Sequence, residues 1–164
     1  MKLALRLALL AVLGVLGWWL WTVLHPSPEK IIRKRLVALA QAASFTGRES
    51  LIKKGLKAQE VETFFAEQVE VAINIPKSEV HTISTRQDIR TAAQAALAAY
   101  GSLTVELLDP NVVLSPDKES AAVDATVRVK MPSEQDLVQE LKFTLRKIKD
   151  EWLIIKIETV RTLS

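Results

Sequence analysis

Residues 121–162 most constrain what this chain can fold into, because apolar and polar side chains alternate there with period two. Over Ala121–Lys130, Val123, Ala125, Val127 and Val129 alternate with Asp124, Thr126, Arg128 and Lys130. Over Leu137–Lys149, Leu141, Phe143 and Leu145 alternate with Glu140, Lys142, Thr144 and Arg146. Successive strand residues point to opposite faces, so each segment predicts a strand with one buried and one wet face. Met131-Pro132-Ser133 and Lys149-Asp150-Glu151 supply turns, and Trp152–Thr162 reads as a third strand. A sheet wet on one side is antiparallel in character, and helices must cover its other side.

Those helices lie upstream. Over Glu29–Ser44, Ile32, Leu36, Leu39 and Ala43 form one apolar stripe at helical spacing. After Gly47, a shorter helix is expected over Arg48–Lys57 with Leu51, Ile52 and Leu56 inward, and Val61, Phe64 and Phe65 suggest further helical turns. Val69–Ile75 alternates as a strand. Ser84/Thr85 followed by Gln87/Asp88 reads as a capping box for a helix from Arg86 to Tyr100, closed by Gly101. Thr104–Leu108 and Val112–Ser115 open the main sheet, separated by Asp109-Pro110-Asn111.

Ahead of this domain stands Leu7–Leu24, an uncharged run long enough as a helix to span roughly 27 Å, close to a bilayer's hydrocarbon thickness. Trp18, Trp19 and Trp21 gather at its far end, where indole rings favour the membrane interface. The expected organisation is a membrane anchor with a short tail over residues 1–25 and an α+β domain over 26–164. The expected localisation is a single-pass protein of a bacterial inner membrane, with the C-terminal domain exported. Residues 29–57 carry eight Lys/Arg against two acids, whereas 58–164 carry twelve against seventeen. Lys30, Arg33, Lys34 and Arg35 therefore stand as candidate contacts for anionic headgroups.

Composition excludes several chemistries. The chain has no cysteine, which removes disulfides and thiolate sites, and its two histidines are far apart in sequence. No glycine-rich phosphate loop, serine elbow or nucleophile–base spacing occurs. The basic helix lacks interleaved aromatics, which argues against nucleic acid as a partner. No metal or cofactor is expected.

Three local stretches carry a resemblance: Phe64-Phe65-Ala66-Glu67-Gln68-Val69-Glu70-Val71, Thr85-Arg86-Gln87-Asp88-Ile89-Arg90, and the closing Asp150-Glu151-Trp152-Leu153-Ile154-Ile155-Lys156-Ile157. With the element order, they make Glu29–Ser164 resemble the nuclear transport factor 2-like superfamily, with its SnoaL-like and cystatin-like cones. The resemblance implies a curved antiparallel sheet wrapped around about three helices. It implies little about activity, since this superfold hosts isomerases, dehydratases, cyclases, epoxide hydrolases and non-enzymatic modules. Its enzymes place acids, tyrosines or histidines on the concave face. The expected concave face here, Val123, Ala125, Val127, Val129, Leu141, Phe143, Leu145, Ile155 and Ile157, holds none of these.

The expected cavity lining is Phe65, Tyr100, Val127, Phe143 and Ile155. No catalytic residue is assigned; Tyr100 reads as a core residue, His81 as a loop residue and Trp152 as a packing anchor. The leading expectation is a non-catalytic scaffolding module of an envelope or secretion-type assembly, bound to other envelope proteins and open to homodimerisation. Its partner surface would be the wet face with Glu140, Lys142, Thr144 and Arg146 beside Asp124, Arg128 and Lys130. The alternatives are a domain binding a small hydrophobic ligand or lipid, and an isomerase- or cyclase-like enzyme.

Overall fold

The structure, a computed structural model, describes residues 27–73, 83–132 and 135–160, together with Val12, Gly14 and Val15. Helices α1 (Pro28–Ala43), α2 (Leu51–Glu62) and α3 (Arg86–Ala99) are joined to strands β1 (Phe65–Ala72), β2 (Ile83–Thr85), β3 (Thr104–Leu114), β4 (Ser120–Lys130), β5 (Leu137–Ile148) and β6 (Glu151–Thr159). The strands form one curved sheet in the order β2-β1-β6-β5-β4-β3. β3 to β6 make an antiparallel meander, but β1 runs parallel to β6, so the sheet is mixed rather than wholly antiparallel.

The alternating segments pair as their pattern requires. Val123 sits opposite Phe143, and Leu145 opposite Ile154. All four are buried in one core with Ile32 and Leu36 from α1. Fully burying a side chain of this size contributes roughly 1.5–3 kcal/mol relative to leaving it exposed. The polar partners of the alternation face outward, where Arg128 and Lys130 both reach Glu106, at 3.7 and 2.6 Å.

The helix starts follow local chemistry. Thr85 accepts the Asp88 backbone N–H while the Asp88 carboxylate accepts that of Thr85, a complete capping box at the start of α3. Ser50 accepts from the Lys53 N–H to open α2. α2 runs on to Glu62, beyond the expected end at Lys57, and this resets its facing. Ala58 and Val61 are buried, whereas Ile52 is 78% and Leu56 59% exposed, against the expectation that both point inward. Leu56 lies two residues from Ala58, about 200° round the helix, so both cannot face the core.

Two clips join the helical layer to the sheet. Ser44, just past α1, accepts the Val105 N–H at 2.9 Å, and beside it Phe45 and Leu103 exchange backbone hydrogen bonds at 2.8 and 2.9 Å. Midway along α1, Arg35 donates to the Thr63 carbonyl at 3.1 Å and meets Glu151 at 3.4 Å, with its guanidinium 5.4 Å from the Phe64 ring centre.

The expected localisation is corrected. Among the described residues no helix is long and apolar enough to cross a membrane. The run Leu7–Leu24, with Trp18, Trp19 and Trp21, lies outside the described residues apart from Val12, Gly14 and Val15.

Candidate functional site

The core does not fill the whole cone. On the inner faces of β4 and β5, Val123, Leu141, Phe143 and Leu145 are buried in one cluster with Ile32 and Leu36 of α1. Beneath α2 and α3, where β1 and β6 form the floor, a cavity of about 290 Å³ remains. Phe65, Val71 and Ile157 line it from the sheet; Phe45, Ala58, Val61, Ile89, Ala93 and Leu97 line it from the helical layer, and Ile73, Ile83 and Leu103 line its sides. It reaches the surface past Ala92, a lining residue that is exposed.

The small residues explain why the space exists. Ala92, Ala93 and Ala96 on α3 face Ala58 on α2 and Ala42 and Ala43 on α1, all in the cavity wall. Alanine continues a helix without filling the volume a leucine would take.

Lys57 is the one charged side chain in this wall among the described residues. Its ammonium donates to the Ser44 carbonyl and to Glu49 Oε1, the latter at 2.9 Å. The hydrogen bond from Lys57 holds the Glu49 carboxyl below its ordinary value, against a smaller opposing effect of burial. Glu49 Oε2 is buried with no hydrogen-bond partner. Among the described lining residues there is no carboxylate, imidazole or hydroxyl side chain.

The expected lining residues are distributed as follows. Phe65 is buried and lines the cavity. Phe143 is buried in the main core cluster and Val127 packs half-buried against that cluster, and neither is among the cavity's lining residues. Tyr100, expected in the lining, caps α3 and is 37% exposed. Ile155, expected to face inward, lines grooves on the outer face with Gln68. The reason is a bulge: Thr144 pairs with Lys156 but its neighbour Leu145 pairs with Ile154, leaving Ile155 unmatched. Inward alternation therefore reads Trp152, Ile154, Ile157.

Lys30, Arg33 and Lys34 are exposed on α1, whereas Arg35 is drawn into the clip at Thr63 and Glu151. Trp152 is buried in the core, and His81 lies outside the described residues. Lys57 escaped sequence reading. Its only signal is its place one residue before Ala58, on a helix that runs to Glu62 rather than ending at Lys57.

The cone of a mixed six-stranded sheet and three helices is the nuclear transport factor 2-like, or cystatin-like, fold, and solved structures share it. A protein of unknown function with this fold from Pseudomonas putida KT2440 superposes with a TM-score of 0.63 at 12% identity, covering 85% of this chain and 92% of its own. One from Novosphingobium aromaticivorans gives a TM-score of 0.60 at 18% identity, covering 92% and 86%. A second protein from that organism, provisionally named a scytalone dehydratase, gives 0.59 at 13% identity, covering 82% and 84%. At these identities the likeness establishes the fold and nothing finer. No protein-family model matches the sequence, and no curated protein does.

Proposed function

We propose that this domain is a non-catalytic binding module for a small apolar ligand held in the cone. One observation carries the reading: a cavity of about 290 Å³ whose lining is almost wholly hydrocarbon. Apolar cavities stay dry and take apolar guests, and an engineered cavity of about 150 Å³ accepts benzene. A space nearly twice that size suits a guest of roughly twelve non-hydrogen atoms, scaled from that comparison. The scaffolding role expected from the sequence finds no support in the comparisons, and two of its surface charges, Arg128 and Lys130, are spent on Glu106 within the sheet.

The test is titration of the full chain with naphthalene, read by fluorescence and by thermal stability. Saturable binding with a raised Tm is expected, since a ligand that binds the folded state stabilises it. Ala93→Leu, which places three more carbons in the wall, should abolish binding while leaving the fold intact. Absence of binding by the unmutated chain would sink the proposal.

A further inference from the structure

A second concavity lies on the outer face of the sheet, separate from the apolar cavity. Phe65 pairs with Ile154 and Glu70 with Lys156, so residues 66–69 of β1 stand against Ile155 alone in β6. Extra residues of this kind bend a strand and interrupt its ladder. At that interruption lies a groove of about 710 Å³ that has no lining residue in common with the cavity. Ala66 and Leu153 are buried in its floor, and Ile148 and Ile155 are half-buried beside them. Arg86, Arg146 and Lys149 also line it. Arg86 is held there by its Nε, which donates to the Phe65 carbonyl at 2.8 Å. The acids nearby are engaged elsewhere. Glu151, in the groove wall, meets Arg35 at 3.4 Å, and Asp150, next to Lys149 in the turn, meets Lys147 at 3.1 Å. Among the described residues no carboxylate pairs with Arg86, Arg146 or Lys149. Glu67 is the one other acid of the lining among the described residues. Positive charge is therefore left over here, in a stretch, 58–164, where acids outnumber Lys/Arg by seventeen to twelve.

We propose that this groove binds an extended acidic segment of a partner protein, one in which leucine-like side chains stand between carboxylates. The apolar floor takes the leucine-like groups, and Arg86, Arg146 and Lys149 take the carboxylates through charge-assisted hydrogen bonds. The occupant is part of a macromolecule because Glu67, Arg146 and Lys149 are exposed, so the groove is open along its rim. A free small molecule is enclosed over most of its surface in its site, and this groove covers only one side of a guest. Its exposed lining residues are all polar or charged, so the rim offers no apolar side chain to enter a bilayer. No aromatic side chain lines it among the described residues, so bases have no ring to stack on.

The experiment uses the full chain and fluorescein-labelled synthetic peptides, read by anisotropy. A short peptide alternating glutamate with leucine should bind saturably, and more weakly as salt rises. A peptide alternating glutamate with glycine should bind about tenfold more weakly or worse, because it leaves the floor unfilled. A peptide alternating lysine with leucine should not bind. Arg146→Glu/Lys149→Glu should weaken the glutamate–leucine peptide about tenfold or more, since it sets like charges against each other. Arg33→Glu/Lys34→Glu makes the same change in net charge on exposed residues of α1 and should leave affinity within about twofold. Saturation with naphthalene should not alter peptide affinity, so the groove and the cavity are judged separately. The peptide comparisons need no variant and decide the matter if the groove variant fails to fold. No binding of the glutamate–leucine peptide, equal binding of the glycine peptide, or equal loss in both double variants overturns the proposal. Phosphatidylglycerol vesicles or a single-stranded oligonucleotide bound through Arg146 and Lys149 in place of the peptide also overturn it, and assign the groove to a lipid surface or to nucleic acid.

Discussion

The hydroxyl of Ser44 accepts the backbone N–H of Val105 at 2.9 Å and donates to the Ala40 carbonyl at 2.7 Å, so one side chain ends α1 and fastens it to β3. β3 is the last strand of the sheet, and this contact occupies a donor on its open side.

Ser44→Ala should therefore strand a part-buried N–H. The expected loss is about 1–3 kcal/mol, the cost of an unsatisfied donor. Urea unfolding measures it, and amide exchange at Val105 should quicken more than at Val123 in β4. Unchanged exchange at Val105 would show that the hydroxyl does not hold the edge.

The two glycines at 47 and 55 should respond in opposite directions. A Cβ on Gly47 would sit 2.8 Å from the Gly101 carbonyl oxygen, where backbone meets backbone, whereas one on Gly55 meets nothing within 4 Å. Gly47→Ala should destabilise by about 1–3 kcal/mol, as overpacking does. Gly55→Ala, inside α2, should stabilise by roughly 0.5–1 kcal/mol because helix formation costs alanine less entropy. Thermal melts of both variants check the pair.

Acid should weaken the fold through identifiable groups. The hydrogen bond from Lys130 holds the Glu106 carboxyl below its ordinary 4.5, with partial burial opposing and the charges of Lys130 and Arg128 assisting. Glu49 is lowered by Lys57, Asp88 by Thr85 and Asp117 by Ser115. A depressed folded-state value means stability that is present above the ordinary value and lost as pH falls through the depressed one. The urea midpoint should hold near neutrality and fall below about pH 4. Glu106→Gln should lower it at pH 7 and make the acid decline shallower.

Alkali acts through the opposite sign. Lys156 hydrogen-bonds Glu158, its largest influence, and lies near Glu70 as well, which raises it above its ordinary 10.5. Its contribution is present below that value and lost as pH rises through the raised one. Lys156→Gln should remove this part of the alkaline decline, measured by the same urea series. An identical decline in the variant would assign the loss to other groups.

Removing the cap of α3 should cost about 1 kcal/mol, the usual penalty for replacing a threonine N-cap by alanine. Thr85→Ala also removes the largest influence lowering Asp88 while the backbone N–H groups of Ser84 and Thr85 remain, so the variant's stability should depend somewhat less on acid than the parent's.

The sequence made the meander legible because period-two alternation fixes both strand and face wherever pairing is regular, as from Val123 to Leu145. The pattern failed at Ile155, where one extra residue shifts the register and no side chain announces it. It failed again at Leu56, whose facing depended on how far α2 extends. The pairing of β1 with β6 joins Phe65 to Ile154, 89 positions apart, and nothing local encodes it. By spacing Phe65 suggests a further helical turn, yet it starts β1, since aromatic residues serve either role. The cavity was invisible for a related reason: sequence shows which residues are apolar, and only their placement shows that Ala58, Ala93 and Ala96 leave space. The N-terminal run signals an anchor only through its hydropathy, its length and its tryptophan cluster, and among the described residues no helix is long and apolar enough to cross a membrane.

The parallel union of β1 with β6 also dictates an order of events during synthesis. Phe65 and Val71 leave the ribosome long before Ile157, yet the three form one floor of the cavity. Until β6 has emerged, β1 has only the three-residue β2 as a neighbour. Non-local pairing of this kind is slow because the intervening chain must first be brought together. The cavity is thus among the last parts of the domain to be completed, and a nascent chain halted before Glu151 carries nearly every wall of it but no closed floor.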